Sequence, residues 1–471
     1  VTSTLAERVF SSGDQRRFAQ ACGDWNPMHV DSVAARRTQA GSPVVHGLHA
    51  VLWALDELCR AQLVYGEPSA LAVVFKRFLY EDAPARLVVT RTDAETVRAE
   101  VHADGVLAVR IDVKRRGPVR SAQPADDAHD RTAQPSAPPA ELDLQQIAGT
   151  RGEMAVDAIR PASMFPCAAA ALGARRTGAL AALSTVVGMR CPGLHSIFAG
   201  FEIVFEPATD RLEYAATSVD DRFRLVELDV RGGGIRGTVT AFVRHAPVGV
   251  DDARIAALVS PDEFAHVAAV VAGASRGLGA TTATIVAAGG GRVVATYRIG
   301  SEEATQLVRR LGEERCTALR LDAGADVHSA LDDVPFPVNQ LYYFPTPQIF
   351  RRSAAAYDPQ RFQDFFRIYA DGFAAVARAV RSHAPSGLRV FYPSSTALDE
   401  ETRELLEYRM AKAAGEVLCR EMSRAGSGIH VLVERLPRVR TDQTSTVVPA
   451  SAADPVDVML PIVRRMSQTP S

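Results

Sequence analysis

The sequence predicts a multidomain chain: two α+β units in tandem, followed by an α/β unit built on a doubly wound parallel sheet. Three observations carry this. Twice, a helix-forming stretch precedes a set of short β-rich segments, the order of a helix covered by an antiparallel meander. From about residue 264 strand and helix patterns alternate instead, which implies parallel strands joined by crossover helices. Between the first two units lies the Pro/Ala/Asp/Ser-rich run from Gly117 to Leu142, with almost no large apolar residues and no periodicity, the composition of a tether.

The length of 471 residues suits about three domains at ~150 residues each. Hydrophobic residues make up 47% and charged residues 23%, enough apolar material for separate cores. Lys and Arg total 53 against 55 Asp and Glu, a net charge of -2, which argues against nucleic-acid or anionic-membrane partners. The six cysteines lie far apart and form no C-x-x-C pair, so reduced thiols are expected, and no metal. The N-terminal residues lack the apolar stretch of a signal peptide, and no run approaches the ~20 apolar residues of a membrane span. A cytoplasmic protein is the expectation.

The first unit, 1–116, reads as a short capped helix, a loop, a long helix from near His46 (GLHAVLWALDELCRAQL) with apolar residues at helical spacing, and four strands, ALAVVFKRFLY, ARLVVTRTDA, TVRAEVHA and VLAVRIDVKR. A linker is assigned to 117–150. The second unit, 151–247, repeats the order: an Ala-rich helical stretch over 166–187, then HSIFAGFEIVFE, RLEYAATSVD, FRLVELDVRG and IRGTVTAFVRH. The third, 264–471, opens with the apolar strand HVAAVVAGAS and alternates strands with helices to GIHVLVERL.

Two constellations carry chemistry. In GDWNPMHVD, Asp24 and His29 flank an Asn26-Pro27 pair, and the residue before proline avoids the helical region, so both side chains should converge from a loop. A carboxylate and an imidazole sharing a water can take its proton and protonate substrate carbon, as hydration of a double bond requires. Gly47, opening the long helix, offers an N–H to which a thioester carbonyl could bind.

The segments FAQACGDWNPMHVD and GSPVVHG resemble the MaoC-like, (R)-specific enoyl-thioester hydratases of the hot-dog fold, over about Phe18–Leu55. The resemblance implies Asp24 and His29 as the hydration pair, Asn26 as the residue holding their loop, and the Gly47 amide as carbonyl donor. The second unit is similar through CPGLHSIFAGFEIVF but lacks the D-x-N-P-x-H pattern. Its one suggestive residue, His195, reads as a strand or turn position. It is expected to complete a double hot-dog and shape the acyl pocket.

In the third unit AGASRGLG places Gly273, Gly277 and Gly279 after a strand and before a helix, where a dinucleotide pyrophosphate can approach the helix N-terminus. Tyr408 and Lys412, at i,i+4, share a helix face, and an adjacent ammonium should lower the tyrosine pKa from ~10. Ser395 lies thirteen residues before Tyr408. Together these resemble the short-chain dehydrogenase/reductase family, with its Rossmann-like sheet, over Ala268–Arg465. The resemblance implies Ser395 as carbonyl orienter, Tyr408 as proton donor, Lys412 as ribose binder and pKa tuner, and Gly273, Ser275, Arg276, Gly277, Leu278 and Gly279 as the turn around the cofactor. Asp322 resembles the adenine-contacting aspartate. Arg298 and Arg276, with no acid at the end of the second strand, favour NADP(H) over NAD(H).

Three positions depart from that family. Its Asn-Asn-Ala-Gly is replaced within YYFPTP, its relay Asn by Tyr369, and its Pro-Gly by Pro437-Arg438. The expected function is a bifunctional (R)-specific 2-enoyl/3-hydroxyacyl-thioester hydratase/dehydratase and NADPH-dependent 3-oxoacyl reductase, acting on CoA or acyl-carrier-protein thioesters. By resemblance it should be a homodimer or tetramer. The alternatives are a hydratase with a silent reductase-like domain used for cofactor binding or oligomerisation, and a hot-dog thioesterase.

Overall fold

A computed structural model of the protein describes residues 3–64, 68–115, 137–325, 327–349, 356–400, 405–424, 428–442, 444 and 451–468. Two compact units divide the chain, the first spanning Val1–Ala246 and the second most of the chain from Pro247 onward.

The first unit is organised on one ten-stranded antiparallel sheet. Its first half contributes β1 (Ser3–Val9), β2 (Pro68–Phe75), β3 (Pro84–Thr92), β4 (Thr96–Ala103) and β5 (Val106–Arg115). The second half contributes β6 (Arg151–Ala155), β7 (Ser196–Phe205), β8 (Arg211–Asp220), β9 (Leu225–Gly232) and β10 (Ile235–Val243). The order is β1-β3-β4-β5-β2-β7-β10-β9-β8-β6, so the second half repeats the first in reverse. The halves join where β2 pairs with β7, Val73 opposite Phe201.

Alternation explains why these strands bury one face. On β4 Val97, Ala99 and Val101 point inward, and on β5 Ile111 and Val113 do so. Helices Gly47–Arg60 and Ala174–Thr185 supply the rest of that core through Leu48, Val51, Leu52 and Leu55, and Leu180 and Leu183. Asp56, buried on the first of these helices, accepts from the N–H groups of Cys167 (2.7 Å) and Ala168 (3.0 Å) in the second half.

Two strands carry too weak a pattern to be read from the sequence. β1 and β6 are the sheet's edges, each paired on one side only, and their polar sequences STLAERV and RGEMA need little alternation. Of the expected tether, residues 117–136 lie outside the described residues. Further along, Leu144–Ile147 is helical, capped by Asp143 and Gln146, with Ile147 fully buried.

The second unit holds six parallel strands: β11 (Ala268–Ala272), β12 (Arg292–Tyr297), β13 (Cys316–Arg320), β14 (Gln340–Tyr343), β15 (Leu388–Ser395) and β16 (Ile429–Leu436). Their order is β13-β12-β11-β14-β15-β16. Every residue of β11 is buried, as a central parallel strand requires. Ala269 and Val271 face a core shared with helices Gly277–Ala288 and Pro455–Ser467. Val270 and Ala272 face another, shared with helices Phe373–Arg381 and Leu406–Arg424. Strand order reverses between β11 and β14, and the turn after β11 lies at the carboxyl end of the sheet, where such sheets bind ligands. Among the described residues no helix is long and apolar enough to cross a membrane.

Candidate functional site

The first constellation is set up by local turns. Helix Ser12–Cys22 stops at Gly23, whose φ of +90° reverses the chain and delivers Asp24 into the interior. Asp24 is 1% exposed. Its Oδ1 accepts from the Asn26 N–H (3.1 Å) and its Oδ2 from the Ser184 hydroxyl (2.6 Å). Burial pushes the Asp24 pKa up, and the positive charge of His29 and these two donors oppose that rise.

Asn26 and Pro27 do not leave an open loop, as the proline rule suggested. Asn26 caps a short helix, Pro27–Val30, its Oδ1 accepting from the Met28 N–H (3.1 Å), and Pro27 takes the first helical position, where its missing N–H costs nothing. His29 is therefore carried on a helical turn. The Asn26 side-chain amide donates to the Gly188 carbonyl (2.8 Å), tying this turn to the second half.

The His29 Nδ1 lies 2.8 Å from the Val44 carbonyl, which can only accept, so that nitrogen holds a proton and Nε2 is left for chemistry. Side-chain ligating atoms of Asp24, His29 and His46 all lie within 4.8 Å of one another. Such a trio could hold a metal ion; here each histidine already has a ring nitrogen committed to a protein oxygen. Next to His46, Gly47 opens the helix, and a Cβ there would stand 2.7 Å from the Phe75 ring. Only glycine fits that position without moving the ring, and its N–H belongs to the first turn, which has no intrahelical acceptor.

Ser184, Gly188 and His46 were missed. Ser184 and Thr185 form the single polar pair in the apolar run GALAALSTVVG, and a buried hydroxyl in such a run needs a partner, which was the available signal. His195, just before β7, faces Glu141 at 3.1 Å.

In the second unit the glycine turn is demanding at all three positions. Gly273 and Gly277 have φ of +76° and +57°, and a Cβ on Gly279 would sit 2.3 Å from the Gly273 carbonyl oxygen. Ser275 lies within the turn and Leu278 packs on the core beneath it. Arg276 is not directed only to solvent: its guanidinium meets the buried carboxylate of Asp442 at 3.3 Å, and Asp442 also accepts from the Val248 N–H (3.0 Å). Arg298 is exposed just past β12. Asp322, past β13, accepts from the Gly324 N–H (2.9 Å).

Ser395 ends β15, where its hydroxyl accepts from the Ala397 N–H (3.2 Å). Tyr408 and Lys412 share the buried face of helix Leu406–Arg424. The expected electrostatics is reversed, however. Burial raises the Tyr408 pKa against the lowering influence of Ser395, and burial lowers Lys412 to about 7. Lys412 Nζ donates to the Pro393 carbonyl (2.6 Å) and lies 3.9 Å above the Tyr369 ring but 5.9 Å from that of Tyr408. A half-neutral ammonium at that distance cannot outweigh desolvation of the phenol. Tyr369 stands on a widened turn, Arg367–Gly372, bonded through its hydroxyl to Thr346 of the loop after β14, while its carbonyl accepts from Tyr392 (3.0 Å).

Comparison with known proteins finds a family match at the N-terminal end of this chain. Residues 2–98 match the model of the MaoC like domain. A stretch of 41 residues is 44% identical to a mitochondrial 3-hydroxyacyl-[acyl-carrier-protein] dehydratase of Arabidopsis thaliana, covering 9% of this chain and 25% of that protein. The chain thus spans about a quarter of the length of that relative. Among solved structures, the angucycline C-6 ketoreductase LanV with bound NADP matches with TM-score 0.37 at 20% identity, over 44% of this chain and 89% of that one. A dehydrogenase/reductase from Sinorhizobium meliloti 1021 gives 0.38 at 19%, over 45% and 91%. A gluconate 5-dehydrogenase from Burkholderia cenocepacia J2315 in complex with NADP and tartrate gives 0.35 at 23%, over 39% and 76%.

Proposed function

We propose that this chain, which begins with a MaoC-like domain, interconverts 2-enoyl and (R)-3-hydroxyacyl thioesters and also reduces 3-oxoacyl thioesters with NADPH. The first unit is read as a double hot-dog and the second as a Rossmann-like sheet, with 117–150 as linker. One observation carries the hydration reading: a buried carboxylate held by two donors beside an imidazole whose Nδ1 is committed to a carbonyl.

In the hydration direction the thioester oxygen binds the Gly47 N–H. Asp24 takes a proton from water as the water oxygen bonds to C3, and the π electrons move toward the thioester. The Nε2–H of His29 then protonates C2, and the proton left on Asp24 passes to His29 to reset the pair. Water is added across the double bond with no co-reactant. Paired acid–base groups of this kind contribute ~10²–10⁴-fold.

The three-glycine turn fits a dinucleotide, with Gly273 and Gly277 in left-handed backbone and Gly279 too close to the Gly273 carbonyl for a side chain, and Arg298 is assigned to a 2′-phosphate. When bound, the reduced cofactor supplies hydride to the C3 carbonyl. Ser395 orients that carbonyl, Tyr408 holds the proton destined for its oxygen, and Lys412 is placed for the ribose. Asp322 is assigned to the adenine side, and CoA or acyl carrier protein carries the acyl group.

A second reading, a hydratase joined to a silent reductase-like domain, is favoured by Asp442 at the glycine turn and by the partly neutral Lys412. Purified protein is mixed with NADPH and acetoacetyl-CoA, and products are identified by mass. 3-Hydroxybutyryl-CoA and crotonyl-CoA together support the bifunctional reading, and Tyr408→Phe should abolish NADPH loss. Hydration of crotonyl-CoA without NADPH consumption selects the second reading.

A further inference from the structure

The hydration pair and the carbonyl donor sit on different elements: Asp24 and His29 on the turn and short helix after Ser12–Cys22, Gly47 at the start of helix Gly47–Arg60. A substrate must meet both at once, and a displacement of ~1 Å between such groups can cost ~10²-fold in rate. One residue touches every part. His46 is fully buried. Its Nε2 lies 3.0 Å from the main-chain carbonyl oxygen of Asp24, an acceptor only, so the ring carries its hydrogen there to make that bond. Its ring stacks on that of His29, centroids 3.9 Å apart and planes 24° from parallel. Its own N–H donates to Oε1 of the buried Gln15 (3.0 Å), on the helix preceding Asp24. Its carbonyl carbon is bonded to the Gly47 nitrogen.

We infer that His46 is a positioning residue of the hydration site: it fixes the Asp24 backbone, the plane of His29 and the Gly47 amide in one frame. This rests on the hydratase reading above. The groups packed around the ring are His29, His49, Gln15 and the Asp24 loop. Burial and the charge of His29 hold its pKa well below the ordinary histidine value, so the ring stays neutral and takes no part in the proton transfers. Its role is geometric, and geometry is read in kcat more than in KM.

The test uses the full chain with crotonyl-CoA and His46→Phe, which keeps a flat ring over His29 but has no donor, beside His46→Gln, which keeps an N–H for the Asp24 carbonyl. His46→Phe should lose ~10–100-fold in kcat with KM within ~3-fold. His46→Gln should recover at least half of that loss on a logarithmic scale. Equal kcat in wild type and His46→Phe, or no advantage of Gln over Phe, overturns the inference. Should His46→Phe not fold, Gln15→Leu removes the acceptor that holds the His46 main-chain N–H, with the His46 side chain in place. A ~3–10-fold lower kcat at unchanged KM then supports the inference, and an unchanged kcat overturns it. A wild-type chain inactive on both CoA and carrier-protein enoyl thioesters defeats the hydratase reading itself, a separate outcome.

Discussion

Ser184→Ala tests whether the second half of the first unit takes part in chemistry. The lost group is a hydroxyl 2.6 Å from the Asp24 Oδ2, in a place where neither is exposed by more than 4%. A hydrogen bond to a charged group contributes ~1.5–3 kcal/mol, and at ~1.36 kcal/mol per pKa unit its loss raises the Asp24 pKa by about one to two. Burial already holds that pKa above the ordinary value, so the change adds to an existing elevation. With Asp24 as the base that accepts the water proton, the acid limb of the kcat/KM profile for crotonyl-CoA moves up by the same amount. On the acid limb the variant is slower than wild type, and on the alkaline plateau it approaches wild type. Stability follows by linkage. A carboxylate with a raised folded pKa binds a proton more tightly in the folded chain, so its contribution is favourable at low pH and is lost as pH rises through the folded pKa. Urea unfolding should show Ser184→Ala losing ~1.5–3 kcal/mol where Asp24 is ionised and less as the pH falls and the carboxyl takes up a proton. A pH profile superimposable on wild type, with only a lower plateau, refutes this account of Asp24.

Gly47→Ala places a methyl 2.7 Å from the Phe75 ring, so thermal unfolding should register ~1–3 kcal/mol of overpacking and kcat should fall; adding Phe75→Leu should restore much of the stability. Asp442→Asn keeps an acceptor for the Val248 N–H but removes a negative charge beside the glycine turn, so fluorescence titration should show NADPH binding tighter by ~3–10-fold, about 1 kcal/mol. Lys412, ordinarily near 10.5, is brought down to about 7, so between those values the unfolded chain binds a proton that the folded chain does not, and stability rises with pH across that window. Lys412→Met should flatten this rise in urea midpoints measured from pH 7 to 10, gaining most at the lower end, while eliminating NADPH turnover.

What was legible in the sequence was what is built locally. Gly23, Asp24, Asn26 and His29 are fixed by one helix end and one capped turn within seven residues, so their pattern survives as a contiguous string. The glycine turn is likewise a local consequence of positive φ and close backbone approach. Ser184 is 160 positions from Asp24, and nothing in the periodicity of its Ala-rich helix says which face meets the other half. The pairing that brings it there is a property of the ten-stranded sheet, in which the second half repeats the first in reverse and sets the two long helices side by side. Electrostatics was hidden for a related reason: i,i+4 spacing tells that Tyr408 and Lys412 share a face, but the sign of their pKa changes is decided by how deeply that face is buried, and Tyr369 and Tyr392 from elsewhere in the chain bury it. The lost D-x-N-P-x-H pattern therefore does not free the second half to vary. Gly188 has no room for a Cβ, which would lie 2.5 Å from the Asp24 carboxylate, and its carbonyl is the acceptor for Asn26. A half that lacks the motif is still constrained by the motif of the other half, at positions such as Ser184 and Gly188 where it touches it.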